Sequence, residues 1–578
     1  MIAELEVAFF LRSLGQLRYV EAPLELLADH GHRVTLLLEF DNHGDAERRW
    51  LERMIARPNF QCYSVEKDPR YPWRPFRHAL LTGMEYVHFQ GPEYRDRPRY
   101  VHNVDSMRGS PPRLVRLLLR LPLARSSRYL RLLYRALAAT ERALPVQARA
   151  VNWLERLRPD ILVIADAGSR AALYEAFVSS AKRLGIPTLG CVSSWDNLTT
   201  RPRLRVAPHR LVVWNDVQLR EAVEIHGVPA ERVVVTGAPN FDQWFDWKPS
   251  PAQDFFARAG LESDRPLVLW AGSALNPWEP PEVPFVLRWL SALRRSTDPL
   301  LHDVGVLIRP HPLRLEQWDG VDLSDYGKVT IWPRGEVTMP IDSEQKADYY
   351  DSIYHSRAVV GINTSAMIEA AIIGRPVLSI VDPAYHDSQF GALHFSYLLE
   401  SGGGVLRLAK SMEEHLGELR AVLSGRDRES LEAAQRFVTR FVRPHGLDRP
   451  ATPLLVDTIE QLASLPVQAE PDPQWIAPLR SLIVALFALS APIRWFRDPA
   501  GRRRFRKLAQ RKLAQRKVVK PARRRVVRPP VVARGKWSPW RQRWRGGDVV
   551  EGGDALVDVA AADLLVDVDR AEQWPAEQ

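Results

Sequence analysis

Residues 358–380 read AVVGINTSAMIEAAIIGRPVLSI, and this stretch decides the fold. An apolar run of strand length, 358–361, passes through Gly361-Ile362-Asn363 into Thr364-Ser365, where a helix opens. Gly374-Arg375-Pro376 closes that helix into a second apolar run, 377–380. Two largely apolar strands joined by a helix form a βαβ unit, in which the helix returns the chain so that the strands lie parallel and buried on both faces.

The same alternation extends outward in both directions. The second half predicts further strands at 267–270, 304–309 and 329–332, and the first half predicts strands at 7–11, 34–38, 161–165, 188–192, 211–214 and 233–236. Between the halves lies the polar, Trp- and Pro-containing stretch 242–251. A chain of 578 residues exceeds what one core usually holds. The sequence therefore predicts an α/β protein of two Rossmann-like, doubly wound lobes, 1–245 and 252–440, followed by a return helix within 441–468.

Two segments depart from this pattern. A helical insertion is expected at 86–150, where 113–138 (RLVRLLLRLPLARSSRYLRLLYRALA) alternates Leu with Arg at helical spacing around Pro122. Its arginines either face water on helices that cover the first lobe, or form a basic surface for anionic lipid or an acidic acceptor. Beyond 469 the globular pattern ends. Residues 481–493 (SLIVALFALSAPI) are almost wholly apolar but fall short of the roughly 20 residues needed to span a bilayer. Flanking Arg480, Arg494, Trp495 and Arg497 suit an interfacial segment, taken as 469–497.

The formal net charge of +11 resides in the tail. Residues 498–547 hold nineteen Lys and Arg against one Asp, and 548–578 hold nine acids against one Arg, which leaves the first 497 residues close to neutral. A mostly disordered extension, basic and then acidic, is expected there. Together with the apolar segment it offers an anionic membrane surface a contact over 479–547. Trp537, Trp540 and Trp544 among the arginines would suit nucleic acid, the least favoured partner. Cys62 and Cys191 are the only cysteines, so neither a disulfide framework nor a zinc site is indicated. Glu4 and Glu6 argue against a secretory leader. A cytoplasmic protein, peripheral at the inner face of the membrane, is the expectation.

Candidate chemistry gathers at the strand ends. Gly15 and Gln16 (Ser13-Leu14-Gly15-Gln16) occupy the first strand-to-helix turn, where a glycine admits a ligand to the backbone. In the second half Arg309-Pro310-His311-Pro312 follows a strand, at the edge where open α/β sheets bind ligands. Thr364 and Ser365 begin a helix whose amides suit a pyrophosphate, and Glu369 shares the helix face of Ser365. A catalytic base would come from the first lobe: Asp41, His43, Asp166 or Asp196, with Asp196 of Ser194-Trp195-Asp196-Asn197 preferred. His226, His302 and His415 read as surface residues and His445 as structural. No Asp-x-Asp pair stands at a convincing place, so neither a metal nor another cofactor is implied.

These motifs, taken in order, resemble GT-B glycosyltransferases over roughly residues 1–465. SLGQ, then RPD at 158–160 leading into ILVIADAGSR, then GIPTLGCVSSWDNLTT at 185–200, LVVWND and VVVTGAPNFD resemble the N-terminal lobe of a bacterial surface-polysaccharide branch. RPHP, ADYY at 347–350 with His355, GINTS and GRPV are similar to the nucleotide-binding lobe, which CDP-glycerol glycerophosphotransferases and UDP-GlcNAc 2-epimerases share. The resemblance implies donor-binding roles for Arg309, Asn363, Thr364, Ser365 and Glu369, catalytic roles for Asp196 and His311, and an acceptor-side loop with Gly15, Gln16 and Asp166. It implies a UDP-, CDP- or GDP-linked donor and a surface-polysaccharide or membrane-linked acceptor. Asn363-Thr364-Ser365 stands where the glycerophosphotransferases often show an acidic-aromatic Ser-Ser run, which weakens that variant. Glycerol phosphate transfer, nucleotide-sugar epimerisation and a non-catalytic scaffold remain alternatives.

Overall fold

In the computed structural model, described over residues 4–40, 44–65, 71–145, 148–168, 173–262, 265–333, 340–399, 403–426 and 429–489, the chain forms two parallel sheets. The first contains β1 (Glu6–Leu11), β2 (Arg33–Leu38), β3 (Phe60–Ser64), β4 (Ile161–Ile164), β5 (Thr188–Cys191), β6 (Arg210–Val213) and β7 (Val233–Val235), in the order β3-β2-β1-β4-β5-β6-β7. The second contains β8 (Leu267–Ala271), β9 (Gly305–Arg309), β10 (Val329–Ile331), β11 (Ala358–Val360), β12 (Val377–Ile380) and β13 (Leu406–Ala409), in the order β10-β9-β8-β11-β12-β13. In each sheet the chain winds outward from a central strand, returns, and winds the other way. That is a doubly wound sheet, with its crevice at the reversal beside β1 and β8.

Both faces of each sheet are covered. Val7, Phe9 and Leu11 of β1 enter one apolar cluster while Ala8 and Phe10 enter another; Leu267 and Leu269 of β8 part from Val268 and Trp270 in the same way. This two-sided burial is why these strands read as unbroken apolar runs. β3 (FQCYS) and β13 (LRLA) escaped the sequence reading because part-exposed polar residues interrupt their apolar pattern, whereas the other edge strands, β7 (VVV) and β10 (VTI), are β-branched throughout.

The insertion differs in extent from the expected 86–150. Its helices begin earlier, with Arg74–His88, and continue through Arg99–Arg108, Arg113–Leu119 and Ser127–Arg142. The break at Pro122 appears as a short turn of 3-10 helix, Pro122–Arg125, where proline cannot supply a helical N–H.

The return segment closes the fold. After the helix Glu429–Phe441 of the second lobe, Arg443 bonds Asp242, whose carboxylate also accepts the N–H groups of Ala451 and Thr452. The helix Ala451–Ala463 then inserts Leu455, Val456, Ile459 and Leu462 into the core of the first lobe. Its Glu460 receives His30 and His32 at 2.8 and 3.0 Å. These three residues hold their ligand atoms within 4.8 Å of one another. The Leu5 N–H donates to Nδ1 of His32, however, so the neutral ring carries its proton on Nε2 and donates it to Glu460. The cluster is a latch between the return helix and the first lobe.

Two histidines expected on the surface are buried. His226 accepts the Leu204 N–H at Nδ1 and donates to the Leu198 carbonyl, while His415 pairs with the indole N–H of Trp289. Each fixes a loop or helix by polar groups of distant sequence, which spacing alone does not reveal. His302 is exposed, and His445 binds the Val235 carbonyl at 2.8 Å.

The apolar run near 481 forms the end of the helix Ile476–Leu489, which lays Ile483 and Phe487 against Trp73, Leu80 and Leu144 of the insertion. Among the described residues no helix is long and apolar enough to cross a membrane. The expected basic and acidic tail at 498–578, and most of the 479–547 contact region, lie outside the described residues, as do Asp41 and His43.

Candidate active site

The strand ends of the two sheets meet at a cleft of about 290 Å³. From the first lobe it is lined by Arg18, Tyr19 and the Ser193–Trp195 turn after β5; from the second, by the ends of β8 and β9, Tyr349 and the start of the helix Ala366–Ile373. Close approach of backbones makes the floor. A Cβ on Gly272 would stand 2.5 Å from the His311 nitrogen, and one on Gly361 would stand 2.7 Å from the Ala271 oxygen, so neither position admits a side chain without moving backbone.

Arg309 ends β9 and is buried. Its guanidinium donates to Ser352 Oγ at 3.0 Å and lies 5.0 Å from the Tyr349 ring centroid, and it makes no ion pair among the described residues. Burial pushes it down to about 10, against the pull of Tyr349, Asp348 and Glu369. A desolvated cation without a carboxylate partner is costly to keep, and it faces a cleft.

His311 accepts the Leu313 N–H at Nδ1, 3.2 Å, so its neutral ring presents Nε2–H. Burial, with Arg18 and Arg314 nearby, pushes it down to about 4. At neutral pH His311 is thus a hydrogen-bond donor rather than a cation, and its low basicity makes it a weak proton acceptor.

Beyond β11 the turn at Asn363 is fixed by its own bonds: its N–H donates to Ser273 Oγ and its amide to the Ser388 carbonyl. Asn363 shapes the turn and does not line the cleft. Thr364, Ser365 and Glu369 do. The backbone N–H groups of Thr364 and Ser365 find no acceptor among the described residues, at the positive end of the helix dipole. Glu369, one turn in, accepts the hydroxyl of Tyr349; burial outweighs that bond and the charges of Arg18 and Arg309, and raises it to about 7.

The acceptor-side candidates fall elsewhere. Asp166 is buried and saturated, accepting from Gln16 at 2.6 Å, Ser193 at 3.1 Å, Asn197 at 2.9 Å and Arg201 at 2.6 Å. Gln16 also accepts the Arg12 N–H, and its bond to Asp166 ties the first turn to the end of β4; Gly15 beside it is exposed. Asp196 accepts from Ser194 and Thr200 around the short helix Asn197–Thr200 and faces the charge of His394 from the second lobe. Burial opposes its ionisation, but His394 and Ser194 prevail and hold its carboxyl below the usual range. None of Gly15, Gln16, Asp166 and Asp196 lines the cleft. What the sequence reading missed is Arg18, one turn beyond Gly15, and Tyr349, which lay unassigned in the ADYY motif.

No protein-family model and no curated protein matches the sequence. Among solved structures, the chain is similar to a glycosyltransferase from Rickettsia africae ESF-5 at 9% identity, over 80% of this chain and 99% of that one, with a TM-score of 0.45. It is similar to the UDP-GlcNAc 2-epimerase of Methanocaldococcus jannaschii at 11% identity, over 79% and 99%, with a TM-score of 0.44. It is also similar to Anabaena HepE in complex with UDP and glucose at 13% identity, over 79% and 100%, with a TM-score of 0.40. With two doubly wound parallel sheets, a cleft between their strand ends and a return helix docked on the first lobe, the chain has the GT-B fold.

Proposed function

We propose that the chain is a glycosyltransferase-like enzyme that holds a nucleotide-activated donor in this cleft, its diphosphate against the amides of Thr364 and Ser365. The observation that carries the reading is Arg309, a buried guanidinium that makes no ion pair among the described residues and borders the same cavity as those amides. His311 adds a neutral donor, and Glu369 offers a carboxyl to ribose hydroxyls. As the nucleoside diphosphate departs its negative charge grows, so fixed N–H donors and a guanidinium bind the transition state more tightly than the ground state. The hydrogen bonds around Asp196 favour a structural part for that residue, and the reading assigns the acceptor's proton to no side chain.

The test is a melting-temperature screen against UDP, CDP, GDP and dTDP. A ligand at 100 times its dissociation constant stabilises the native state by about 2.7 kcal/mol, and one base should stand out. A preference for CDP would favour transfer of glycerol phosphate, and donor turnover without any acceptor would favour epimerisation. No stabilisation by any of the four would remove the donor reading.

We infer further that the enzyme works at a membrane surface. The helix Ile476–Leu489 packs one side on the insertion and leaves Leu482, Leu486 and Leu489 exposed, a stripe that a lipid interface would cover.

A further inference from the structure

A cavity of about 380 Å³, larger than the cleft and sharing no residue with it, opens between the helix Ser127–Arg142, the helix Tyr174–Arg183 and the chain at 203–206. One stripe of the first helix faces it with Arg131, Tyr134, Arg135 and Arg142, residues three, four and seven apart.

Seven arginines line this cavity. Three of them are answered by carboxylates: Arg77 by Glu141 at 2.7 Å, Arg205 by Glu175 and, at 3.3 Å, by Glu141, and Arg183 by Asp472 at 2.7 Å. Arg131, Arg135, Arg142 and Arg203 make no ion pair among the described residues. Arg203 is nonetheless held in place, donating to the His226 carbonyl at 3.1 Å with its guanidinium 5.7 Å from the Tyr134 ring centroid.

A solvated helix face spreads like charges outward. Here four arginines with no ion pair among the described residues line one concavity, and Arg131 and Arg135 stand four apart on a helix, where like charges repel. The buried carboxylates Glu141 and Glu175 are taken up by Arg77 and Arg205. The guanidinium fork matches phosphate oxygens in pairs, and a cavity of this size holds a small ligand. We propose that this cavity is a second anion site, outside the cleft, that binds a phosphate-bearing ligand through Arg131, Arg135, Arg142 and Arg203. The proposal stands whether or not the cleft takes a nucleotide donor.

The experiment is arginine-selective labelling of the full chain with phenylglyoxal, read peptide by peptide by mass spectrometry, with inorganic pyrophosphate as the probe. Pyrophosphate at ten times its dissociation constant should slow labelling of Arg131, Arg135, Arg142 and Arg203 roughly tenfold, in the parent and in Arg309→Ala alike. In Arg131→Ala/Arg135→Ala, whose replaced side chains are exposed, protection of Arg142 and Arg203 should be lost. Vesicles of phosphatidylcholine, with or without phosphatidic acid, separate the sources. Protection by pyrophosphate assigns a soluble phosphate, and protection only by vesicles containing phosphatidic acid assigns a lipid headgroup. Labelling unchanged by both phosphates, equal protection by pure phosphatidylcholine, or protection that disappears in Arg309→Ala would each overturn the proposal.

Discussion

The guanidinium of Arg309 lies over the ring of Tyr349, 5.0 Å from its centroid, and the Tyr349 hydroxyl in turn donates to Glu369. The aromatic ring thus stands between a buried cation and a half-buried carboxyl that do not pair directly. Burial disfavours the charged form of both: it pushes Arg309 down to about 10, which leaves it a cation at neutral pH, and Glu369 up to about 7. A direct ion pair would satisfy both; keeping them apart leaves the cation for a ligand.

Replacing Arg309 should therefore harm binding and spare the fold. Hydrogen bonds to a charged group contribute about 1.5–3 kcal/mol, so Arg309→Met should weaken nucleoside diphosphate binding by roughly ten- to a hundredfold. The free variant should melt at or above the parent's temperature, because a desolvated charge has been removed. Calorimetric titration and thermal melting read the two effects; a variant that binds normally but melts far lower would make Arg309 structural.

Glu369 sets the pH dependence of that binding. Its folded pKa of about 7 means that it is protonated below that pH and ionised above it. An ionised carboxyl one turn from a bound diphosphate repels it, so affinity should fall as pH rises through about 7. Glu369→Gln should flatten the profile while keeping the acceptor for Tyr349. An unchanged slope in the variant would place the titrating group elsewhere.

The sheets were legible in the sequence because burial on both faces writes each central strand as an apolar run, as in 7–11 and 358–360. β3 (FQCYS) and β13 (LRLA) carry polar residues inside the strand, so no apolar run marks them. That Arg309, Thr364 and Ser365 border one cleft was legible because a strand end, a glycine turn and Thr364-Ser365 follow one another in the chain. Arg18 was not, because its place depends on the second lobe folding against it. Asp166 and Asp196 carried the right chemistry for a base, but only the fold shows their oxygens already bonded to Arg201, Asn197, Ser194 and Thr200.

The return helix gives a stability test. Glu460 is buried, which by itself would raise its carboxyl, but the hydrogen bonds from His30 and His32 prevail and hold it below the usual range. A lowered folded pKa contributes stability that is present above the unfolded value and lost as pH falls through the folded one. Glu460→Ala strands the buried His32 Nε2–H and should destabilise the protein by about 1–3 kcal/mol, read by urea unfolding near neutral pH. A change within about 0.5 kcal/mol would show that the apolar contacts of Leu455 and Ile459 suffice alone.

Stability across pH should peak in a narrow window. Burial pushes His209, His226, His311 and His415 down to about 4, and it also lowers His88 and His394. Between pH 4 and the unfolded value of about 6.5 the unfolded chain takes up protons that the folded chain refuses, so stability falls on acidification. Glu221 and Glu282 are raised to about 8 and Glu369 to about 7, again by burial. From their unfolded values near 4.5 upward the folded state binds the extra protons, so these groups lose stability as pH rises to about 8. Burial lowers His355 as well and raises Glu6, Glu21 and Glu175, so seven histidines stand against six carboxyls below about pH 6.5, and of these groups only the carboxyls act above it. The melting temperature should therefore be highest near pH 6.5, and Glu221→Gln should lessen the alkaline decline. A melting temperature that climbs steadily from pH 6.5 to 8 would contradict this balance.

The last expectation concerns the helix Ile476–Leu489. Ile483 and Phe487 anchor it, with the Phe487 and Trp73 ring centroids 3.9 Å apart, while Leu482, Leu486 and Leu489 remain 55%, 57% and 75% exposed. Three exposed leucines on one side of an anchored helix are a poor surface for water and a good one for an interface. Burying a leucine is worth about 1.5–3 kcal/mol, so Leu482→Ser/Leu486→Ser should weaken binding to anionic vesicles by roughly two orders of magnitude or more. Because both side chains face outward, the variant should melt with the parent. Co-sedimentation with vesicles measures the loss, and the opposite choice, Phe487→Ala, should lower the melting temperature by undoing the anchor. Full binding by the double serine variant would assign the membrane contact to another part of the chain.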